Sequence, residues 1–334
     1  MTHGVDFEPG ETPPCPRATA PRLRVVFAGM DGRFSTVPLQ ALARRHQLVG
    51  VVHSLPRPVR RGWLVDWARA GSGAGNLRRF AEYLGCPFFS AGRSAGRGLT
   101  AFLQQVQPDL LCLSNFSFLL PPEILEIPRR GTINLHLSLL PRHRGPNPWL
   151  WMFHDQDRTG GVSVHLVDEG EDSGPLLGTL EHEVPEGITA GELADEVLPR
   201  AAELLVDVVD ALACGSLLPV PQASPDGLRR ARFVPPGEAL IDWPTWPASR
   251  VSHFLRGASL WYEPFPPIPG FVRRYGPALP GKPEDPPGTL RQAMRTGWVA
   301  CCDGRVPFRL QAVPRELWRL GLPLALGAGL WALA

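Results

Sequence analysis

The chain has 334 residues, 44% of them hydrophobic, and 34 Lys and Arg against 32 Asp and Glu, a formal net charge of +2. That length and apolar content suit a sizeable core and about two domains, and the near-balanced charge neither demands nor excludes a nucleic-acid partner. The six cysteines form no CxxC pair and no Cys/His ligand spacing, which argues against a zinc site. Met1 to Pro21 is polar and Pro-rich without an apolar core, so it does not read as a secretory signal, and the cytoplasm is the expected compartment.

From residue 22 to about 207, short apolar runs alternate with helical patterns. Leu23–Ala28 reads as a strand and Thr36–Arg45 as a helix, followed by a strand at Leu48–Val52. Asn76–Leu84 reads as a helix, Cys86–Ser90 as a strand, and Leu99–Val106 as a helix. Leu110–Leu113 and Thr132–Leu135 are strands. This alternation predicts a Rossmann-like α/β fold, a mainly parallel sheet with helices on both faces. Gly29-Met30-Asp31-Gly32 follows the first strand but completes no GxGxxG, which argues against a nicotinamide site, and no Walker sequence is present. Thr189 to Ala213 is the longest helical pattern, with Thr189 and Glu192 spaced for a capping box and Pro199 placed to kink or split it.

Residues 214–231 read as a linker, broken by Pro219, Pro221, Pro225 and Gly227. Residues 232–320 form a smaller β-rich unit. Its middle, Pro264 to Pro287, is too proline-dense for regular structure, and its end reads as a hairpin turning at Asp303-Gly304. The resulting division is a disordered segment 1–21, a catalytic domain 22–213, a linker 214–231, a C-terminal domain 232–320 and an apolar tail 321–334. The tail is shorter than the roughly 20 residues a membrane span needs, so no membrane partner is expected.

The chemistry concentrates between Asn134 and Gly174. Asn134-Leu135-His136 is followed by Ser138-Leu139-Leu140-Pro141, by Arg144-Gly145, and by Asp168-Glu169-Gly170-Glu171-Asp172-Ser173-Gly174. On an extended strand Asn134 and His136 share one face. Asp172 lies between two glycines, in a loop able to fold back over that face. An amide, an imidazole and a carboxylate can together move a proton and stabilise an oxyanion without a metal.

These motifs, in this order, resemble the family that transfers a formyl group from 10-formyltetrahydrofolate to an acceptor amine. Arg24–Gly29, Gln107–Leu111, Ile241-Asp242-Trp243 and Pro287-Gly288-Thr289 extend the resemblance over roughly residues 22 to 312. It implies that Asn134, His136 and Asp172 are catalytic. It implies that Ser138, Leu139, Leu140, Pro141, Arg144, Gly145, Asp168 and Gly170 contact the folate co-substrate, with no metal. It also implies a β-barrel-like, OB-like C-terminal domain that helps hold the acceptor.

Which amine is accepted is where this chain departs from tRNA-acting relatives, whose Arg-Gly is usually followed by Ala-Ala-Pro-Ile-Gln. Here Arg144-Gly145 is followed by Pro146-Asn147-Pro148-Trp149-Leu150-Trp151. Tryptophan beside the site would offer a flat wall for a sugar or base. The sequence therefore favours a small-molecule amine, such as an amino sugar or amino acid derivative, and not DNA. Methionyl-tRNA is the alternative, favoured by Arg57, Arg60 and Arg61, and a non-catalytic folate-binding relative is the third reading.

Overall fold

A computed structural model describes residues 20–55, 76–92, 96–223, 227–235, 237–268, 270–282 and 285–312. The expectations for the N-terminal segment up to residue 19, for Arg57, Arg60 and Arg61, and for the apolar tail lie outside the described residues.

The first sheet has seven strands: β1 (Arg24–Gly29), β2 (Gln47–Ser54), β3 (Phe88–Ala91), β4 (Leu110–Ser114), β5 (Thr132–His136), β6 (Thr159–Leu166) and β7 (Leu176–Glu183), in the order β3-β2-β1-β4-β5-β6-β7. Strands β1 to β5 pair in parallel, while β6 and β7 add antiparallel neighbours at one side. Both faces carry helices, so the strands are apolar on each side. Val25, Phe27, Leu110, Cys112, Ile133 and Leu135 pack against α1 (Arg33–Arg45), α2 (Leu77–Leu84) and α6 (Ala190–Cys214). On the other face Val26, Ala28, Leu111 and Leu113 meet α3 (Gly96–Val106) and α4 (Pro122–Leu125). The alternation along β5 puts Asn134 and His136 on this second face, beyond the cluster that α3 and α4 cover. The Rossmann-like architecture is as the sequence predicts.

Helix α6 carries the full capping box between Thr189 and Glu192, as its spacing predicts. Pro199 does not split it: the helix runs unbroken over 25 residues. Pro199 is on the exposed side, so the Asp195 carbonyl it leaves unpaired lies toward water, while Val197, Leu198, Ala201 and Ala202 stay buried.

The second sheet is antiparallel, β10 (Leu290–Ala293), β11 (Thr296–Cys301), β12 (Gly304–Ala312) and β8 (Phe271–Tyr275) in that order, with β9 (Leu279–Pro280) also on β12. The hairpin at Asp303-Gly304 is present. The expectation that Pro264 to Pro287 holds no regular structure is corrected by β8 and β9: no proline falls inside Phe271–Tyr275, so all five residues pair with β12. Three helices the sequence reading did not give are α4, α5 (Pro148–His154) and α7 (Ala248–Ala258). Helices α5 and α7 pack closely, because Gly257 has no Cβ to strike the Phe153 ring.

Candidate active site

β5 is the junction of the sheet. On one side it pairs in parallel with β4; on the other it pairs antiparallel with β6, which sets Asn134 opposite His165 and His136 opposite Ser163. The Asn134–His165 register places the amide nitrogen Nδ2 3.1 Å from Nε2 of His165. The other His165 nitrogen, Nδ1, is 2.7 Å from the Leu166 carbonyl and donates to it, so Nε2 accepts from Asn134. Asn134 Nδ2 also donates to Asp172 Oδ1 at 3.2 Å. Both amide hydrogens are thus spent inside the protein, and Oδ1 is the pole of Asn134 left for a substrate.

Asp172 arrives from the loop between β6 and β7. It adopts φ 51°, a left-handed conformation that Asp tolerates better than most residues. Its Oδ2 accepts from the Gly145 backbone N–H at 2.9 Å and lies 3.6 Å from His136 Nδ1. Burial alone would raise the Asp172 carboxyl, but the charge of His136 when protonated and the Gly145 N–H outweigh it and hold the group well below the usual carboxylate range. Asp172 therefore stays ionised throughout the neutral range. Gly145 has φ 119°, and a Cβ there would meet the Ala231 carbonyl oxygen at 2.9 Å, so the close approach requires glycine.

His136 is buried, with Nε2 3.0 Å from the His143 carbonyl. A carbonyl only accepts, so Nε2 carries the hydrogen and Nδ1, facing Asp172, is the nitrogen that can exchange a proton.

The remaining sequence-selected residues lie in the loops around this cluster. Ser138 Oγ donates to the Arg142 carbonyl at 2.7 Å, so its hydroxyl is used within its own loop. Leu140 is buried, and its peptide bond to Pro141 is cis. Leu139 packs beneath β6, where Gly161 leaves it room. Arg144 Nε and Nη2 donate to Gln222 Oε1, while Gln222 Nε2 donates to the carbonyls of Asp172 and Gly174. Asp168 Oδ1 accepts from Gly170 N and Ser173 Oγ, which closes the Asp172 loop into a turn. A side chain at Gly170 would collide with Ser173 Oγ. Gln222 is the clamp the sequence did not assign: it ties the Arg144 loop to the Asp172 loop from the segment read as a linker.

The aromatic wall expected after Arg144-Gly145 is not there. Trp149 is 1% exposed and packs edge-on to Phe34 and Trp261 in the core. Trp151 is also buried and donates its Nε1–H to the Arg232 carbonyl. Helix α5 is buried on nearly all sides, so its tryptophans serve packing and do not line an acceptor pocket.

A family model described as Formyl transferase matches residues 72–209. The methionyl-tRNA formyltransferase of Roseiflexus sp. (strain RS-1) is 31% identical over 325 residues, covering 91% of this chain and 94% of that protein. The chain belongs to the formyltransferase family. The methionyl-tRNA formyltransferase of Frankia alni is 33% identical over 307 residues, covering 88% of this chain and 87% of its own length. Among solved structures, HypX from Aquifex aeolicus in complex with tetrahydrofolic acid has a TM-score of 0.58 at 15% identity, over 90% of this chain and 48% of that one. WlaRD, a sugar 3N-formyl transferase, has a TM-score of 0.57 at 12% identity, over 87% of this chain and 98% of that one. Both likenesses concern the fold. This formyltransferase is an enzyme. Among the described residues no group of three or more His, Cys, Asp or Glu is arranged to hold a metal ion. No helix among them is long and apolar enough to cross a membrane.

Proposed function

We propose that this formyltransferase carries the formyl group of 10-formyltetrahydrofolate to the amino group of methionyl-tRNA, with Asn134, His136 and Asp172 as its catalytic residues. The observation that carries the acceptor reading is the end-to-end match to proteins named methionyl-tRNA formyltransferase, which takes in the C-terminal sheet as well as the catalytic fold. The sequence expectation of a small amine draws on Asn147, Trp149 and Trp151, and all three are buried. A cleft of about 880 Å³ supports a polyanionic acceptor: it runs between the N-terminal ends of α1 and α6 and the second sheet, and its lining includes Arg33, Arg256, Arg273, Arg274 and Arg309 against Glu192 and Asp195. The folate donor fits the apolar lip after β4, where Phe116 and Phe118 lie 4.6 Å apart and Leu119 is 60% exposed. A flat pteridine ring suits such a surface.

The mechanism follows from which atoms remain unused. The acceptor amine attacks the formyl carbon while Asn134 Oδ1 accepts one of its hydrogens. His136 Nδ1 takes the proton the nitrogen loses and returns it to the donor nitrogen as the carbon–nitrogen bond of the folate breaks. The imidazolium formed in between stabilises the carbonyl oxyanion. Asp172, held ionised, steadies that imidazolium as a fixed charge, since a carboxylate of such low basicity is a poor proton carrier.

The test is direct. Purified protein is given 10-formyltetrahydrofolate with methionyl-tRNA, or with a panel of amino sugars and amino acids, at low and moderate salt. Rapid, salt-sensitive formylation of methionyl-tRNA is expected. Faster turnover of a small amine would overturn the acceptor reading and leave formyl transfer intact.

A further inference from the structure

We propose that His143 and Asp157 are positioning residues that fix which nitrogen of His136 works. Neither was singled out as a site residue by the sequence motifs, and neither touches Asn134 or Asp172 in the described hydrogen bonds. The link runs through the backbone. His136 Nε2 donates to the carbonyl of His143, not to a side chain, so its tautomer depends on where that carbonyl points.

The carbonyl is held by an anchored residue in an unusual conformation. His143 has φ 54°, in the left-handed region where a non-glycine residue persists only if its surroundings hold it. What holds it is its own imidazole, whose Nε2 lies 2.6 Å from Asp157 Oδ2 with both side chains largely buried. Asp157 is itself fixed twice. Its Oδ1 accepts from Arg142 Nη2 at 2.5 Å, and its backbone N–H donates to the Met152 carbonyl at the end of α5. A chain of contacts therefore runs from Asp157 through the His143 ring and the His143 carbonyl to His136 Nε2–H. The consequence is chemical: with Nε2 committed, Nδ1 is the nitrogen that exchanges the proton beside Asp172. Release of the anchor lets the left-handed turn relax and the carbonyl rotate away. His136 then samples both tautomers and other rotamers, and the fraction with Nδ1 ready falls.

This rests on the reading of His136 as the proton carrier but not on the identity of the acceptor. The experiment compares Asp157→Ala, His143→Asn and Asp157→Asn with the parent protein. His143→Asn removes the ring while keeping a residue type that tolerates φ near +54°, so it remains informative if Asp157→Ala fails to fold. Asp157→Asn keeps a side-chain oxygen to accept from His143. Two readouts are taken: kcat and KM for 10-formyltetrahydrofolate with methionyl-tRNA, and the ring-nitrogen NMR signals of His136, assigned by their loss in His136→Gln. Asp157→Ala and His143→Asn should lower kcat by about tenfold with KM within about twofold, and should shift His136 from a single Nε2–H tautomer to a mixture. Asp157→Asn should restore most of the turnover and the single tautomer. Turnover near the parent value in both disrupting variants overturns the proposal. So does a loss of turnover with an unchanged His136 spectrum, which would mark the pair as merely structural. If the parent formylates no methionyl-tRNA, the acceptor reading has failed, and the NMR arm, which needs no acceptor, still decides this one.

Discussion

The end of β5 and the cleft between the two sheets treat polar groups in opposite ways. At β5 the side chains hold one another: Asn134 is bonded to His165 and Asp172, Asp172 to Gly145, and His136 to His143. In the cleft, arginines are brought together. Arg274 and Arg309 stand directly opposite across β8 and β12, and burial followed by the Arg309 charge pushes the Arg274 pKa down. Arg273 is 9% exposed; its Nη1 lies 3.3 Å from Glu263 and its Nη2 donates to the Pro266 carbonyl, while its Nε is buried without a hydrogen-bond partner. Groups that satisfy one another internally act on a reaction by geometry; groups crowded with like charge act on a ligand that relieves them. The first region should therefore govern turnover and the second acceptor affinity.

The sharpest way to break that division is at Asp172. Asp172→Asn keeps the shape but removes the charge that faces His136 Nδ1, and should reduce kcat by about a hundredfold or more with folate binding largely intact. His136→Ala should do the same. Steady-state kinetics beside a folate-binding titration checks both, and a folded Asp172→Asn protein with near-parent turnover would remove the residue from the chemistry.

Gly145→Ala tests whether the approach of two loops matters as much as their charges. Its φ of 119° and the Ala231 oxygen 2.9 Å from a built Cβ mean that the backbone must move, taking the N–H away from Asp172. A stability loss of roughly 1–3 kcal/mol is expected, with kcat falling further than thermal stability alone would explain. Gly215→Ala is the control: φ is 68° but no atom lies within 4 Å, so only the backbone term applies.

These two tests fall on features of unequal legibility. The convergence of Asn134, His136 and Asp172 was legible because strand periodicity puts two of them on one face and glycines bracket the third. The pairing of His165 with Asn134 could not be read, since it exists only through the antiparallel β5–β6 register. The grip of Gln222 on two loops required the chain after α6 to return to the sheet, where Val220 bridges Leu176. Strands β1 to β5 read well because each is a mainly apolar run, whereas β6 and β7, which carry His165, Glu181, His182 and Glu183, were not read. β8 was hidden by flanking prolines that turn out to bracket it, and Trp149 and Trp151 misled because a tryptophan near a site in sequence can point into the core.

A pH test reaches a region remote from both sites. His46, the residue that closes α1, is buried, with its Nε2 3.6 Å from Asp210. Burial, opposed by the Asp210 charge and aided by Arg45 and Arg22, lowers its pKa to about 4. The unfolded chain, with an ordinary value near 6.5, then binds more protons than the folded one between those limits. The stabilisation is complete above about pH 6.5 and is lost as pH falls through 4. Thermal melts across that window should show a Tm decline that His46→Gln flattens. An unchanged slope in that variant would assign the acid sensitivity to other groups.

The smallest expected effect bears most on the acceptor. Arg274→Gln and Arg309→Gln each remove one cation from the cleft without touching Asn134, His136 or Asp172. If the cleft carries a phosphate backbone, each change should raise KM for methionyl-tRNA by roughly three- to tenfold at low salt and reduce the slope of log affinity against log salt by about one. The difference from the parent should vanish at high salt, where counterions already screen the contact. The value of kcat should stay within about twofold, because no atom of the β5 network has moved. Stability carries a second constraint. Arg274 and Arg309 repel each other when the cleft is empty, and removing either one relieves that pairwise repulsion in full. Protein stability should therefore rise slightly even as tRNA affinity falls. Opposite movement of stability and affinity is the signature of residues kept for a ligand. Unchanged KM and salt slope would mean that the acceptor passes elsewhere, and the division between a turnover region and an affinity region would have to be redrawn around another surface.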